Sequence, residues 1–215
     1  MNRRHFWGGL AVGAFASAGV ALIEPHSVPQ EKKRFAEIPA AERRRNRFLN
    51  AVLRTHEGEE VRLYDDLIKD RTVLINFMYT NCIGEATCPL MTANLARVQR
   101  ALGPRVGRDI FMYSITLDPE HDTPGVLKQY ARAFEVQQGW LFLTGNKDTV
   151  EAVRRNLGFA YSDPVIDQDR TQHIGMVKYG IEPLERWAGC AALSKPETIV
   201  RNVFRMEPKR ARAFG

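Results

Sequence analysis

Residues 73–102 read VLINFMYTNCIGEATCPLMTANLARVQRAL. Val73 to Tyr79 is an almost unbroken apolar run, the pattern of a strand covered on both faces of a parallel sheet rather than of a half-exposed strand. It is therefore read as a central strand. Beyond it, Met91, Leu95, Val98 and Leu102 recur at steps of four, three and four, which sets one apolar stripe on a helix with Asn94, Arg97 and Arg100 off it. Proline suits the first helical position, where its missing N–H is no loss, so the helix is predicted to begin near Pro89 with Cys88 at or beside the N-cap. A thiol there lies at the positive end of the helix dipole. That position predicts a lowered pKa and a ready thiolate, the form that attacks disulfides and binds metals.

Outward from this stretch, Ala51 to Leu63 alternates about His56-Glu57-Gly58 and reads as two short strands joined by a turn at Gly58. Residues 109–116 (DIFMYSIT) form a second buried strand. Asp118 to Pro124 then ends it and caps a helix, with Thr123 as N-cap, Pro124 at the first position, and Val126, Leu127, Tyr130 and Phe134 on its buried side. Residues 140–144 (WLFLT) make a third strand, followed by a helix through Val150, Val153 and Leu157 that stops at Gly158. Residues 159–172 lack periodicity and are read as a long loop, with His173 at its end. His173 to Tyr179 and Leu184 to Ala188 are expected to pair as a hairpin. A capping box of Ser194 and Glu197 is expected to open the last helix. Strands alternating with helices and a final antiparallel hairpin give an α/β sandwich around a mixed sheet.

The chain has 215 residues, 44% of them hydrophobic, which suits one domain after a removable N-terminus. Its formal charge of +6 is unevenly placed: residues 31–47 hold seven Lys or Arg against three Glu, and residues 201–215 hold five against one. Residues 48–200 hold 17 against 20, so the folded part is slightly acidic. A nucleic-acid-binding domain would carry its positive charge on the fold, and that class is set aside in favour of solvated tails near an anionic membrane surface. Residues 1–23 read as an export signal: Arg3-Arg4-His5-Phe6-Trp7 is similar to a twin-arginine motif, and Ala16-Ser17-Ala18 offers a small-residue cleavage pattern. Cleavage would start the mature chain near Gly19. The alternative is an uncleaved anchor of residues 6–23 in the inner membrane. Both place the domain in the periplasm. Residues 24–47 read as a basic linker, 48–205 as the folded domain and 206–215 as a basic tail.

Cys82 and Cys88, with five residues between them, fall in a loop at the carboxyl end of a central strand, where open α/β sheets place their sites. In an exported protein such a pair reads as redox or metal chemistry. A disulfide between them would close a loop of about seven residues and stabilise by only on the order of 2 kcal/mol. It would make a poor staple, but a suitable bond to open and close, or to open and hold a metal. Cys190 reads as a small, partly buried residue. Met78, Met91, Met112 and Met176 read as core. His5 and His26 fall in the signal and linker, and His56 and His121 in turns, with surface positions expected. For Asp118, Asp122 and Thr123 helix capping is a sufficient reading.

The run NFMYTNC...CPLMTANLARVQ, then SITLDPEHDTPGVLKQYA, then the lone His173 entering a strand, resembles the Sco/SenC family of copper proteins over roughly residues 48–205. The resemblance implies a thioredoxin-like fold, a mixed sheet flanked by helices with an added N-terminal β-hairpin. It also implies export or membrane anchoring, and a copper site of two cysteines and one distal histidine. By position these are Cys82, Cys88 and His173. The implied role is that of a binding protein rather than an enzyme, delivering copper to the CuA-bearing subunit of cytochrome c oxidase or reducing its cysteines. Two thiolates and an imidazole suit Cu(I) and tolerate Cu(II). Two departures stand out: the family spaces its cysteines by three residues, and it sets an acidic residue before the histidine where this chain has Gln172. The alternative is a periplasmic thiol-disulfide oxidoreductase using Cys82 and Cys88 without stable copper. Reductases of this fold carry Cys-x-x-Cys and a facing cis-proline, and neither occurs here. The motif of a thiol peroxidase is also missing.

Overall fold

The computed structural model describes residues 38–82, 87–169 and 174–208. The export signal, most of the basic linker, the loop residues Ile83 to Ala86, Gln172, His173 and the basic tail beyond Pro208 lie outside them. The domain that starts at Pro39 is one compact unit. Its middle is β3 (Thr72–Met78), in which every residue after Thr72 is buried. That strand pairs in parallel with β4 (Ile110–Thr116), in register from Thr72 against Ile110 to Met78 against Thr116. On its other side it runs antiparallel to β6 (Met176–Ile181). β5 (Trp140–Thr144) continues the parallel block beyond β4. β1 (Val52–Thr55) and β2 (Glu60–Arg62) form the added hairpin, joined antiparallel to β5, and β7 (Arg186–Ala191) closes the other edge. The full order is β2-β1-β5-β4-β3-β6-β7.

The alternation along β3 sorts the core into two layers. Leu74 and Met78 face one cluster with α2 (Thr87–Leu102), α3 (Pro124–Ala133) and α6 (Pro196–Met206). Val73, Ile75 and Phe77 face the other, with α4 (Lys147–Asn156) and a single π-helical turn at Leu63–Ile68. Phe77 is 1% exposed and packs on Phe159 with ring centroids 4.8 Å apart. The expected stripe of α2 is buried, and Thr123 and Asn146 cap α3 and α4 with their side chains.

Four local expectations change. The final hairpin is shifted, with strands at Met176–Ile181 and Arg186–Ala191, because Glu182–Leu184 forms a 3-10 turn between them. The capping box at Ser194 does not form: α6 starts one residue later, from Lys195 without a side-chain cap. The presumed loop 159–172 contains α5 (Pro164–Gln168), nucleated by Asp163, whose carboxylate accepts from the amides of Val165 and Ile166 ahead of Pro164. Lastly, part of the presumed linker is α1 (Ala40–Arg47), and its arginines are not simply solvated. Arg43 pairs with Glu185 at 3.2 Å and Arg44 with Glu182 at 3.1 Å. Ion pairing to the domain, absent from any local pattern, fixes this helix. Among the described residues no helix is long and apolar enough to cross a membrane.

Candidate metal centre

β3 delivers the chain to the carboxyl end of the sheet, and α2 starts directly above it. Cys88 lies one residue inside α2 rather than at its cap, and it is fully buried. The Tyr79 amide, just past the end of β3, donates to Cys88 Sγ at 3.4 Å. Cys82 is half-buried, packs against the same core cluster, and lies close enough to Cys88 to raise the pKa of its thiol. Both thiols are free. One turn along α2, Thr92 donates to the Cys88 carbonyl at 3.0 Å and shares a 3.1 Å hydrogen bond with the Tyr130 hydroxyl from α3.

The lowered pKa expected of Cys88 is overturned. Burial pushes its thiol up to about 12, with smaller upward contributions from Cys82 and from the charge of Asp122; only the Tyr79 amide pulls it down. Desolvation of a thiolate under a closed core outweighs what a helix N-terminus supplies. Cys88 is thus a neutral thiol at physiological pH until something that replaces the proton reaches it.

Asp122, which capping alone seemed to explain, is entirely buried. Its Oδ2 accepts from the Thr80 amide at 3.2 Å and from the Thr116 hydroxyl, and its Oδ1 accepts from the Thr80 hydroxyl and meets His121 Nδ1 at 2.9 Å. Thr80 stands between Tyr79, whose amide touches Cys88, and Cys82. Sequence reasoning missed this residue because its partners come from two other strand ends. The available signal was the pair of hydroxyl residues, Thr80 and Thr116, ending two neighbouring strands.

His173 lies outside the described residues, so its approach to the cysteines is not part of the geometry. The chain resumes at Ile174, and the Gly175 carbonyl accepts from the Ala192 amide at 2.9 Å. Asn94 on α2 donates to the carbonyls of Ala192 and Ser194, both at 2.8 Å. Met91 Sδ lies 3.4 Å from where a Cβ on Gly175 would stand. The segment just after His173 is therefore packed on the first turns of α2. Among the described residues no three His, Cys, Asp or Glu side chains are grouped to hold a metal. Two adjoining sulfurs are nonetheless the donors that a soft cation such as Cu(I) prefers over hard ones. His56 is less exposed than expected: its Nδ1 accepts from the Phe142 amide at 3.1 Å. His121 is half exposed, as expected of a turn. Cys190 is half-buried on β7, its thiol pushed up by burial. Met78, Met91 and Met112 are core, and Met176 is partly buried.

The model of the SCO1/SenC family matches residues 48–185. The chain belongs to that family. A relative described as a SCO1 protein homolog from Bacillus subtilis (strain 168) is 34% identical over 95 residues, covering 44% of this chain and 47% of the relative. The match thus spans about half the length of that curated relative. Among solved structures, the Sco fold recurs in Bradyrhizobium japonicum ScoI with copper bound, at a TM-score of 0.58 and 24% identity over 73% of this chain and 97% of that one. BsSco has a TM-score of 0.58 and 24% identity over 74% of this chain and 94% of its own. It is a member of the Sco family of cytochrome c oxidase assembly proteins in which a disulfide switch was identified. The seven-stranded mixed sheet flanked by helices is accordingly the thioredoxin-like architecture of Sco proteins.

Proposed function

We propose that this chain is an exported copper carrier, taking copper on Cys82, Cys88 and His173 in the periplasm and passing it to the CuA-bearing subunit of cytochrome c oxidase. The placement of two free thiols, Cys82 and Cys88, against one core cluster at the end of β3 carries the reading. Copper as cargo would bring a soft Lewis acid that displaces protons from thiols. The chain's own part is to keep Cys88 buried as a neutral thiol until then. Loading Cu(I) on two thiols gives a bis-thiolate complex and releases two protons to solvent. The buried, neutral Cys88 makes that release strongly pH-dependent. Handing copper on reverses the balance, the thiols regaining protons as the partner's ligands take the metal. The half-buried Cys82 is the sulfur that an incoming ligand can reach.

Export rests on the twin-arginine-like start, and the fold from Pro39 onward then acts in the periplasm, either free or held by residues 6–23. A second reading has support in the same proximity: two free thiols beside one another at the end of β3 are candidates for a disulfide. In that case the pair would reduce a partner's disulfide by exchange, its own two thiols becoming the disulfide. Mass spectrometry of the mature protein after anaerobic copper loading separates the two. One copper per chain, with both thiols unmodified, supports the carrier. No bound copper, together with a Cys82–Cys88 disulfide that cycles against a dithiol buffer, replaces it with the oxidoreductase.

A further inference from the structure

We propose that Asp122 is a positioning residue that tunes which oxidation state of copper the cysteine pair prefers; the inference rests on the copper reading above. Asp122 belongs to the loop between β4 and α3 and touches neither sulfur. Its side chain is nevertheless completely buried, and four donor-capable groups converge on its two oxygens: the Thr80 amide, the Thr80 and Thr116 hydroxyls, and His121 Nδ1. Both carboxylate oxygens are thus taken up by hydrogen-bond donors. Among the described residues no Lys or Arg forms an ion pair with it; its ionisable partner there is His121, 2.9 Å away on a half-exposed ring whose pKa the hydrogen bond to Asp122 raises.

The carboxylate therefore sets a negative charge, offset in part by His121, under the cysteine loop, close enough that Cys88 and Tyr130 both feel it. Two thiolates with Cu(I) carry a net negative charge, whereas the same thiolates with Cu(II) are neutral. A fixed anion nearby opposes the first and is indifferent to the second, so it biases the site toward Cu(II). The two Thr80 bonds have a separate effect: they pin the end of β3 from which Cys82 hangs and next to which Tyr79 holds Cys88. The β4–α3 loop thus fixes the position of the pair and supplies the field.

Asp122→Asn isolates the field. An amide oxygen can replace Oδ2, accepting from the Thr80 amide and the Thr116 hydroxyl, while its NH2 meets the Thr80 hydroxyl and His121 Nδ1, both able to turn acceptor. Cu(I) and Cu(II) affinities of the full chain are measured by chelator competition for wild type, Asp122→Asn, Thr80→Val and the exposed control Glu120→Gln, with circular dichroism checking the fold. The ratio of Cu(I) to Cu(II) affinity should rise roughly tenfold in Asp122→Asn. It should stay fixed in Glu120→Gln. In Thr80→Val, which keeps the charge and loosens the loop, both affinities should fall together. A residue of merely structural importance would lower both affinities in Asp122→Asn and leave their ratio alone, and that result overturns the proposal. A changed ratio in Thr80→Val overturns it as well, and remains decisive should Asp122→Asn fail to fold. Wild-type protein that binds neither ion refutes the copper reading itself, a result distinct from an unchanged ratio in protein that does bind.

Discussion

Two fully buried carboxylates stand at opposite ends of β3 and are treated oppositely. At the lower end, Glu182 is 1% exposed and receives the Tyr64 hydroxyl and the Asp70 amide, both at 2.9 Å, with the Arg44 guanidinium 3.1 Å away. At the upper end, Asp122 is equally buried but is met by an amide, two hydroxyls and a half-exposed imidazole. The lower charge is cancelled by a guanidinium and ties α1, the π-helical turn and the β6–β7 turn together. The upper charge is solvated by dipoles and left beside two thiols. A buried charge paired to a guanidinium serves cohesion, whereas one met mainly by dipoles still exerts a field.

The largest test of this contrast removes the soft donors. Cys82→Ser or Cys88→Ser should abolish tight Cu(I) binding in chelator competition, since a hydroxyl is a hard, protonated substitute for a thiolate. Cys190→Ser should bind as wild type; loss of binding there would move the site away from the upper end of β3. Next comes the scaffold beneath the loop: Phe77→Ala should cost about 3–5 kcal/mol in denaturant unfolding, and a loss under about 1 kcal/mol would refute its place in the core. At the lower end, Glu182→Ala should cost about 2–3 kcal/mol by stranding the Tyr64 hydroxyl and the Asp70 amide, while leaving copper affinity unchanged. Weakened copper binding in that variant would mean the two ends are coupled. The smallest perturbation is pH. Because Cys88 stays protonated until about 12, Cu(I) affinity should rise with pH by roughly tenfold or more per unit between pH 6 and 8, as each displaced proton becomes easier to lose. A flat profile would show that the thiol is already ionised.

Much of the lower and middle architecture was legible because its signals are local. The apolar run of β3, the stripe of α2 and the Thr123-Pro124 cap each follow from neighbours in sequence, and the cysteine pair announced itself by its place at a strand end. What escaped depends on residues far apart. The burial of Asp122 requires Thr80 from 42 residues away, and a capping motif already gave that aspartate a sufficient local reason. The helix of Ala40–Arg47 is highly charged and gains its definition from Glu182 and Glu185. The acidity of Cys88 was misjudged for a related reason: the helix terminus can be read from Pro89, whereas the closed core that desolvates the sulfur cannot. Glu197 lies three residues past Ser194, yet the cap falls at Lys195, so there the local signal was present and was not used.

The pairing of α1 with the lower end of the sheet also governs reach. The chain enters the domain beside Glu182 and Glu185, while the thiols sit past the far end of β3, seven residues or roughly 23 Å along the strand. Within the described domain, the arginines of α1 are therefore anchored at the end of the sheet opposite the cysteine pair.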